Sequence, residues 1–173
     1  MELPAANNER HVYLRVRDLN RLLKCFDDPE AQALTKMAFY TGLRWIAELL
    51  PLTEKNIKHQ GRQTWLYVGD TKNGLPRMVP VHDAILPCLK RLPFTRHWRD
   101  YYAAFERARR SAGLKHVRMH DLRHSLASEI ISNGGTLADV QAALHHESVV
   151  SAKRYAHLYP ERVKQVMMRV GKR

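Results

Sequence analysis

Between Thr64 and Val81 the chain changes its period, and that change limits the folds open to it. "TWLYVGD" reads as a strand, "TKNG" as a turn and "RMVPV" as a second strand. Asn73-Gly74 is the strongest short-range hairpin signal a sequence offers, because both residues tolerate the positive φ of a tight primed turn. Pro80 has no N–H to give a ladder, so its strand belongs at a sheet edge or at a point where no ladder bond is needed. On both sides of this stretch apolar residues recur at helical spacing. The expected fold class is therefore α+β, mainly α, with one small antiparallel sheet.

The helical segments carry their own stops and starts. Asp18 is read as the cap of a helix with Leu19, Leu22, Leu23 and Phe26 on one face. Asp28 as N-cap and Pro29 at the first helical position restart the chain, with Leu34, Met37, Ala38 and Thr41 inward and Gly42 as the stop. "LRWIAELLP" is a short helix ended by Pro51. After the hairpin a helix is expected with Ile85, Leu86, Leu89 and Leu92 inward. Another runs from Trp98 to Ala112, with Trp98, Tyr102, Phe105 and Ala112 on one side and Arg107, Arg109 and Arg110 near its end, where cations suit the helix dipole. "HDLRHSLASEIISNGG" is the next. Thr136 and Asp139 form a capping-box-like start for a helix through Leu144. Ser148 can cap a helix carrying Tyr155, and Val163, Val166, Met167 and Val170 make a final apolar stripe.

A chain of 173 residues, 45% of them hydrophobic, suggests one domain with a real core. Residues 1–17 read as a tail or linker and 18–173 as the domain. Lys and Arg total 29 against 17 Asp and Glu, a formal net charge of +12, which points to a polyanion partner. Cys25 and Cys88 lie far apart in apolar patterns and read as buried free thiols of a reducing compartment. No apolar run has transmembrane length and no signal peptide opens the chain, so a soluble cytoplasmic protein with no membrane partner is expected.

Four places then stand out, each with an ordinary explanation of its own. Arg44 follows a helix-ending Gly and could be a solvated cap. Lys72 sits in a hairpin turn, where an exposed Lys is usual. His120, Arg123 and His124 share one helix face. Two His at i, i+4 suggest zinc, but "HDLRH" lacks the Glu of a zinc-protease motif and a third ligand. His145-His146 ends a helix, where a capping pair is common.

Together, "TGLR", "TKNGLPRMVPV", "HDLRHSLAS" and "LHHESVVSAKRYAHLYPE" resemble, in order and spacing, the tyrosine recombinases of the phage integrase family. The resemblance spans about Asp18 to Pro160. It implies the tyrosine recombinase catalytic core fold. It also implies a site-specific DNA recombinase (integrase) that cleaves and rejoins strands through a 3′-phosphotyrosyl intermediate, serving phage or mobile-element integration and excision. Arg44 and Arg123 match the two catalytic arginines, Lys72 the hairpin lysine, His120 the first histidine, His146 the later one, and Tyr155 the nucleophile. By the same resemblance Tyr159 does not attack and His124 is structural.

The residue types suit that chemistry. Arginine is always charged and binds phosphate oxygens through a planar fork. Tyrosine, with an ordinary pKa of about 10, needs a base or a positive field to attack at neutral pH. His120 titrates near neutrality and can serve as that base, and Lys72 can protonate the leaving 5′ oxygen. No metal and no cofactor are expected. The chain has no phosphate-binding glycine loop and no carboxylate cluster for Mg²⁺.

Partners by resemblance are double-stranded DNA, further protomers in a tetramer on DNA (a monomer when free), and accessory DNA-bending or excisionase proteins. The chain departs from the family pattern in three places. The acidic residue expected three positions after the first Arg is Ala47, with Glu48 one later. His145 replaces the usual Gly before the later histidine. The separate N-terminal DNA-binding domain of the family is absent, which reads as a catalytic-domain fragment. A DNA-binding protein without useful catalysis and a relaxing topoisomerase of the same chemistry are the competing functions.

Overall fold

A computed structural model describes residues 12–69, 76–144 and 159–171. Within these the chain is mainly helical with one three-stranded antiparallel sheet, ordered β1-β2-β3. The helices are α1 (Val16–Leu23), α2 (Pro29–Thr41), α3 (Trp98–Ser111), α4 (Asp121–Ser132), α5 (Leu137–Leu144) and α6 (Tyr159–Met167). The strands are β1 (Ile57–Gln60), β2 (Gln63–Val68) and β3 (Arg77–Pro80).

α2 is the central element, packed against α1, α3, α4 and the segment Asp83–Arg91. Its sequence explains the position: Ala31, Ala33, Leu34, Met37, Ala38, Phe39 and Tyr40 are buried on several faces, as in a helix with no solvent side. Its start is local chemistry. Asp28 accepts the N–H groups of Glu30 (2.9 Å) and Ala31 (3.1 Å), and Pro29 takes the first helical position. Its end is Gly42, at φ 64°. A Cβ there would lie 2.7 Å from a Leu144 methyl and 2.9 Å from a Leu126 methyl, so both the backbone and the packing of α4 and α5 demand glycine.

β2 and β3 pair antiparallel as the strand-turn-strand reading predicts, with Trp65 opposite Pro80 and Val68 opposite Arg77, and Pro80 lies on an edge strand. The turn "TKNG" between them falls outside the described residues. β1 adds a third strand on the far side of β2. It has an exposed polar pattern with no apolar alternation to announce it.

Three local readings are corrected. α1 starts at Val16 after Arg15, and Asp18 lies in its first turn, where its carboxylate pairs with Arg21 at 3.4 Å. Asp83–Arg91 is a 3-10 helix containing Pro87, so its tighter winding buries Ile85, Cys88 and Leu89 and leaves Leu86 exposed. In α3 the inward face is Tyr101, Ala104, Phe105 and Ala108, while Trp98 and Tyr102 stand at the surface. Cys88 is buried and Cys25 half-buried, both as free thiols. No helix among the described residues is long and apolar enough to cross a membrane.

Candidate active site

Arg44 is delivered by the stop of α2. From Gly42 the chain turns into a one-turn π-helix, Trp45–Leu49. Its i→i+5 bonds are Leu49 N–H to the Arg44 carbonyl at 3.1 Å and Leu50 N–H to the Trp45 carbonyl at 2.9 Å. A π-turn holds one residue more than an α-turn, and such turns recur at functional sites. It is the physical answer to the late acidic residue. With the extra residue absorbed, the carboxylate of Glu48 returns to the start of the turn and accepts the Arg44 backbone N–H at 2.8 Å. The other Glu48 oxygen accepts from Arg77 of β3 at 2.7 Å, both side chains being nearly inaccessible to solvent.

Burial alone would raise the Glu48 carboxyl. The Arg44 N–H, the Arg77 guanidinium and the charge of Arg123 together hold it below the usual glutamate range. The sign for stability follows. A depressed folded pKa contributes stability that is present above the ordinary glutamate pKa and is lost as pH falls through the folded value. Glu48→Gln strips Arg77 of its counter-charge in a buried pair and is expected to cost about 3 kcal/mol near neutrality. In urea unfolding the gap to wild type should stay level from pH 7 down to about 5 and shrink below about 4. A gap independent of pH would refute the charged pair.

Arg123 lies on α4 and is buried. Its guanidinium donates to two backbone carbonyls, Gly42 at the end of α2 and Leu144 at the end of α5. One side chain thus ties α4 to the residue pair before Arg44 and to the residue before His145. Burial, then Arg44 and Arg77 against the pull of Glu48, push its pKa down to about 10, which leaves it charged at neutral pH. Two of its five N–H donors hold backbone, and among the described residues the others have no hydrogen-bond acceptor.

His120 precedes α4, with its ring edge-on to that of His124 at 4.9 Å. Partial desolvation, then His124 and Arg123, with Arg44 a smaller cause and Asp121 opposing, hold its pKa below the ordinary histidine value. At neutral pH its imidazole is therefore mainly neutral and able to take a proton. The loop leading to it is held by Arg109, whose guanidinium donates to the carbonyls of Lys115 and Val117 (2.7 Å to the latter). Arg109 also pairs with Glu106 at 2.5 Å. Arg109 thus acts as a brace for this loop as well as a cation at the end of α3.

The described residues thus bring Arg44, His120 and Arg123 into one electrostatic neighbourhood. Lys72, His145, His146, Ser148 and Tyr155 lie outside them. Glu48 and Arg77 complete the neighbourhood. Glu48 stood in the sequence as a displaced acidic residue, whereas Arg77 gave no signal beyond its place in a strand. A surface groove lined by Arg15, Arg17, Arg21 and Lys24 shares no residue with this neighbourhood.

Residues 95–162 match the phage integrase family. The chain carries a phage integrase domain. It is 26% identical over 184 residues to the integrase of Salmonella phage P22, an alignment covering 92% of this chain and 47% of that protein. The chain thus spans about half the length of this curated relative. The catalytic domain of bacteriophage HP1 integrase superposes with a TM-score of 0.60 at 28% identity, covering 89% of this chain and 92% of that one. The XerH site-specific recombinase bound to difH substrate, in a post-cleavage complex, superposes with a TM-score of 0.67 at 22% identity, over 94% of this chain and 54% of that one. The fold is that of the tyrosine recombinase catalytic domains, the α+β class expected from the sequence.

Proposed function

We propose that this integrase domain is the strand-cleaving part of a site-specific DNA recombinase acting on double-stranded DNA. The observation that carries the reading is the double anchorage of Arg123, which fixes one buried cation against the backbone of the Arg44 turn and the backbone leading to His146. Two arginines from separate elements suit the non-bridging oxygens of one phosphate, where charge develops during transfer.

In the proposed step the Tyr155 hydroxyl oxygen attacks the phosphorus. Its proton passes to His120, whose neutral form fits a base. The bond from phosphorus to the 5′ oxygen breaks, and Lys72 supplies the proton to that oxygen. A 3′-phosphotyrosyl link and a free 5′-hydroxyl result, with His146 donating a hydrogen bond to the phosphate. The link conserves the phosphodiester energy, so a 5′-hydroxyl of a second duplex can reverse the step. This needs no metal and no cofactor. The residues 18–173 act as the catalytic domain, and four protomers on two duplexes complete an exchange.

The test is a duplex nicked near the cleavage point, so that cleavage releases a short fragment and religation fails. Incubated with the protein and a chelator, it should yield a protein–DNA adduct that survives a denaturing gel. A duplex that the protein demonstrably binds, yet never links to, would sink the reading.

A further inference from the structure

The chain beside Arg44 opens onto an aromatic patch that is only partly buried. Trp45 begins the π-turn, and its ring stacks on Tyr102 of α3 at 6.3 Å and 16° and meets Trp98 edge-on at 6.3 Å. The patch stays open to solvent: Trp98 and Tyr102 are each 36% exposed, and Ile46, next to Trp45 in the chain, 45%. An apolar patch of this kind on a strongly charged chain marks an interaction site.

Its rim is cationic. The Arg99 guanidinium lies over the Trp98 ring at 5.3 Å, and Arg44 adjoins Trp45 in the chain. Among the described residues neither Arg44 nor Arg99 has a carboxylate partner, whereas Arg77, Arg96, Arg107, Arg109 and Arg110 each have one. Arg99 thus lies against the aromatic wall with no carboxylate partner among the described residues.

We infer that Trp45, Trp98, Arg99 and Tyr102 form a contact surface for duplex DNA flanking the cleaved phosphate, with Arg99 as its polar anchor. The inference rests on the proposed function and extends it from the reacting phosphate to the neighbouring nucleotides. Charge complementarity favours a polyanion over a protein here, and the patch continues directly from Arg44. Arg99 has a fork that fits a phosphate or the acceptor pair of guanine, and the aromatic wall fits deoxyribose and thymine methyl groups. A single strand stacking its bases on the rings and a docked protein are the alternatives.

The experiment compares Arg99→Gln and Trp98→Ala with the wild-type chain. Each is titrated by fluorescence anisotropy against a short mixed-sequence duplex and against oligo(dT), over a series of salt concentrations. Both variants are expected to bind the duplex about tenfold more weakly, with unchanged melting temperatures. The Arg99 variant should also show a salt slope lower by roughly one, or an altered base preference. Duplex binding at wild-type affinity by both variants overturns the inference and leaves the patch to a protein partner. Loss of oligo(dT) binding alone overturns it in favour of single-strand stacking. A wild-type chain that binds no DNA overturns the proposed function as well, which separates the two failures. Arg99→Gln changes only an exposed side chain, so the comparison stands even where Trp98→Ala disturbs the fold.

Discussion

Tyr155→Phe is expected to abolish the covalent protein–DNA adduct, while Tyr159→Phe leaves it. The phenolic oxygen is the atom that enters the new bond to phosphorus, and phenylalanine offers nothing in its place. DNA binding by the Tyr155→Phe chain should be unchanged, because phosphate contacts come from cations. α5 ends at Leu144, whose carbonyl Arg123 holds, and α6 begins at Tyr159. α6 is packed against α5 and β3 through buried Val163, Val166 and Met167. Tyr159 therefore belongs to a helix whose position is set by core packing; Tyr155 lies outside the described residues. The gel assay with the nicked duplex reads this directly. An adduct that survives Tyr155→Phe and vanishes with Tyr159→Phe would transfer the nucleophile.

What the sequence made legible is what local chemistry decides. Asp28-Pro29 and Gly42 mark both ends of α2 because capping and positive φ are properties of single residues. β2 and β3 were readable because β-branched and aromatic residues flank the Asn73-Gly74 turn signal. β1 was not, since its pairing to β2 is a tertiary choice that leaves no apolar alternation. α3 shows the same limit. Periodicity places Trp98 and Tyr102 with Phe105, but the rotation of the helix on α2 selects Tyr101, whose hydroxyl donates to Glu30 and whose ring takes Arg96 on its face. At the site, Arg44, His120 and Arg123 came from motif spacing. The displaced Glu48 became intelligible only as one end of a π-turn bonded to Arg44, and Arg77 only as its partner 29 positions along the chain. Spacing rules cannot see such a pair, because it is made by a strand crossing a turn.

Arg123→Lys is expected to slow strand cleavage by about a hundredfold while preserving the charge, because geometry and not charge alone makes this residue useful. The planar fork reaches the Gly42 and Leu144 carbonyls from two nitrogens at once. A lysine has one compact ammonium in place of the two forked nitrogens, so it is expected to satisfy only one of these acceptors and leave the other buried and unpaired. Losing one charge-assisted bond of this kind should lower stability by about 2 kcal/mol. If the side chain only held the fold, the loss of rate would follow the fraction of unfolded protein. Measured in single turnover, well below the unfolding transition, the rate should instead fall with the protein fully folded by circular dichroism. Near-wild-type cleavage by the folded lysine variant would reduce Arg123 to a structural clamp. A slow but folded variant would mean that the residue joining the ends of α2 and α5 also meets the phosphate, through the donors the backbone leaves free.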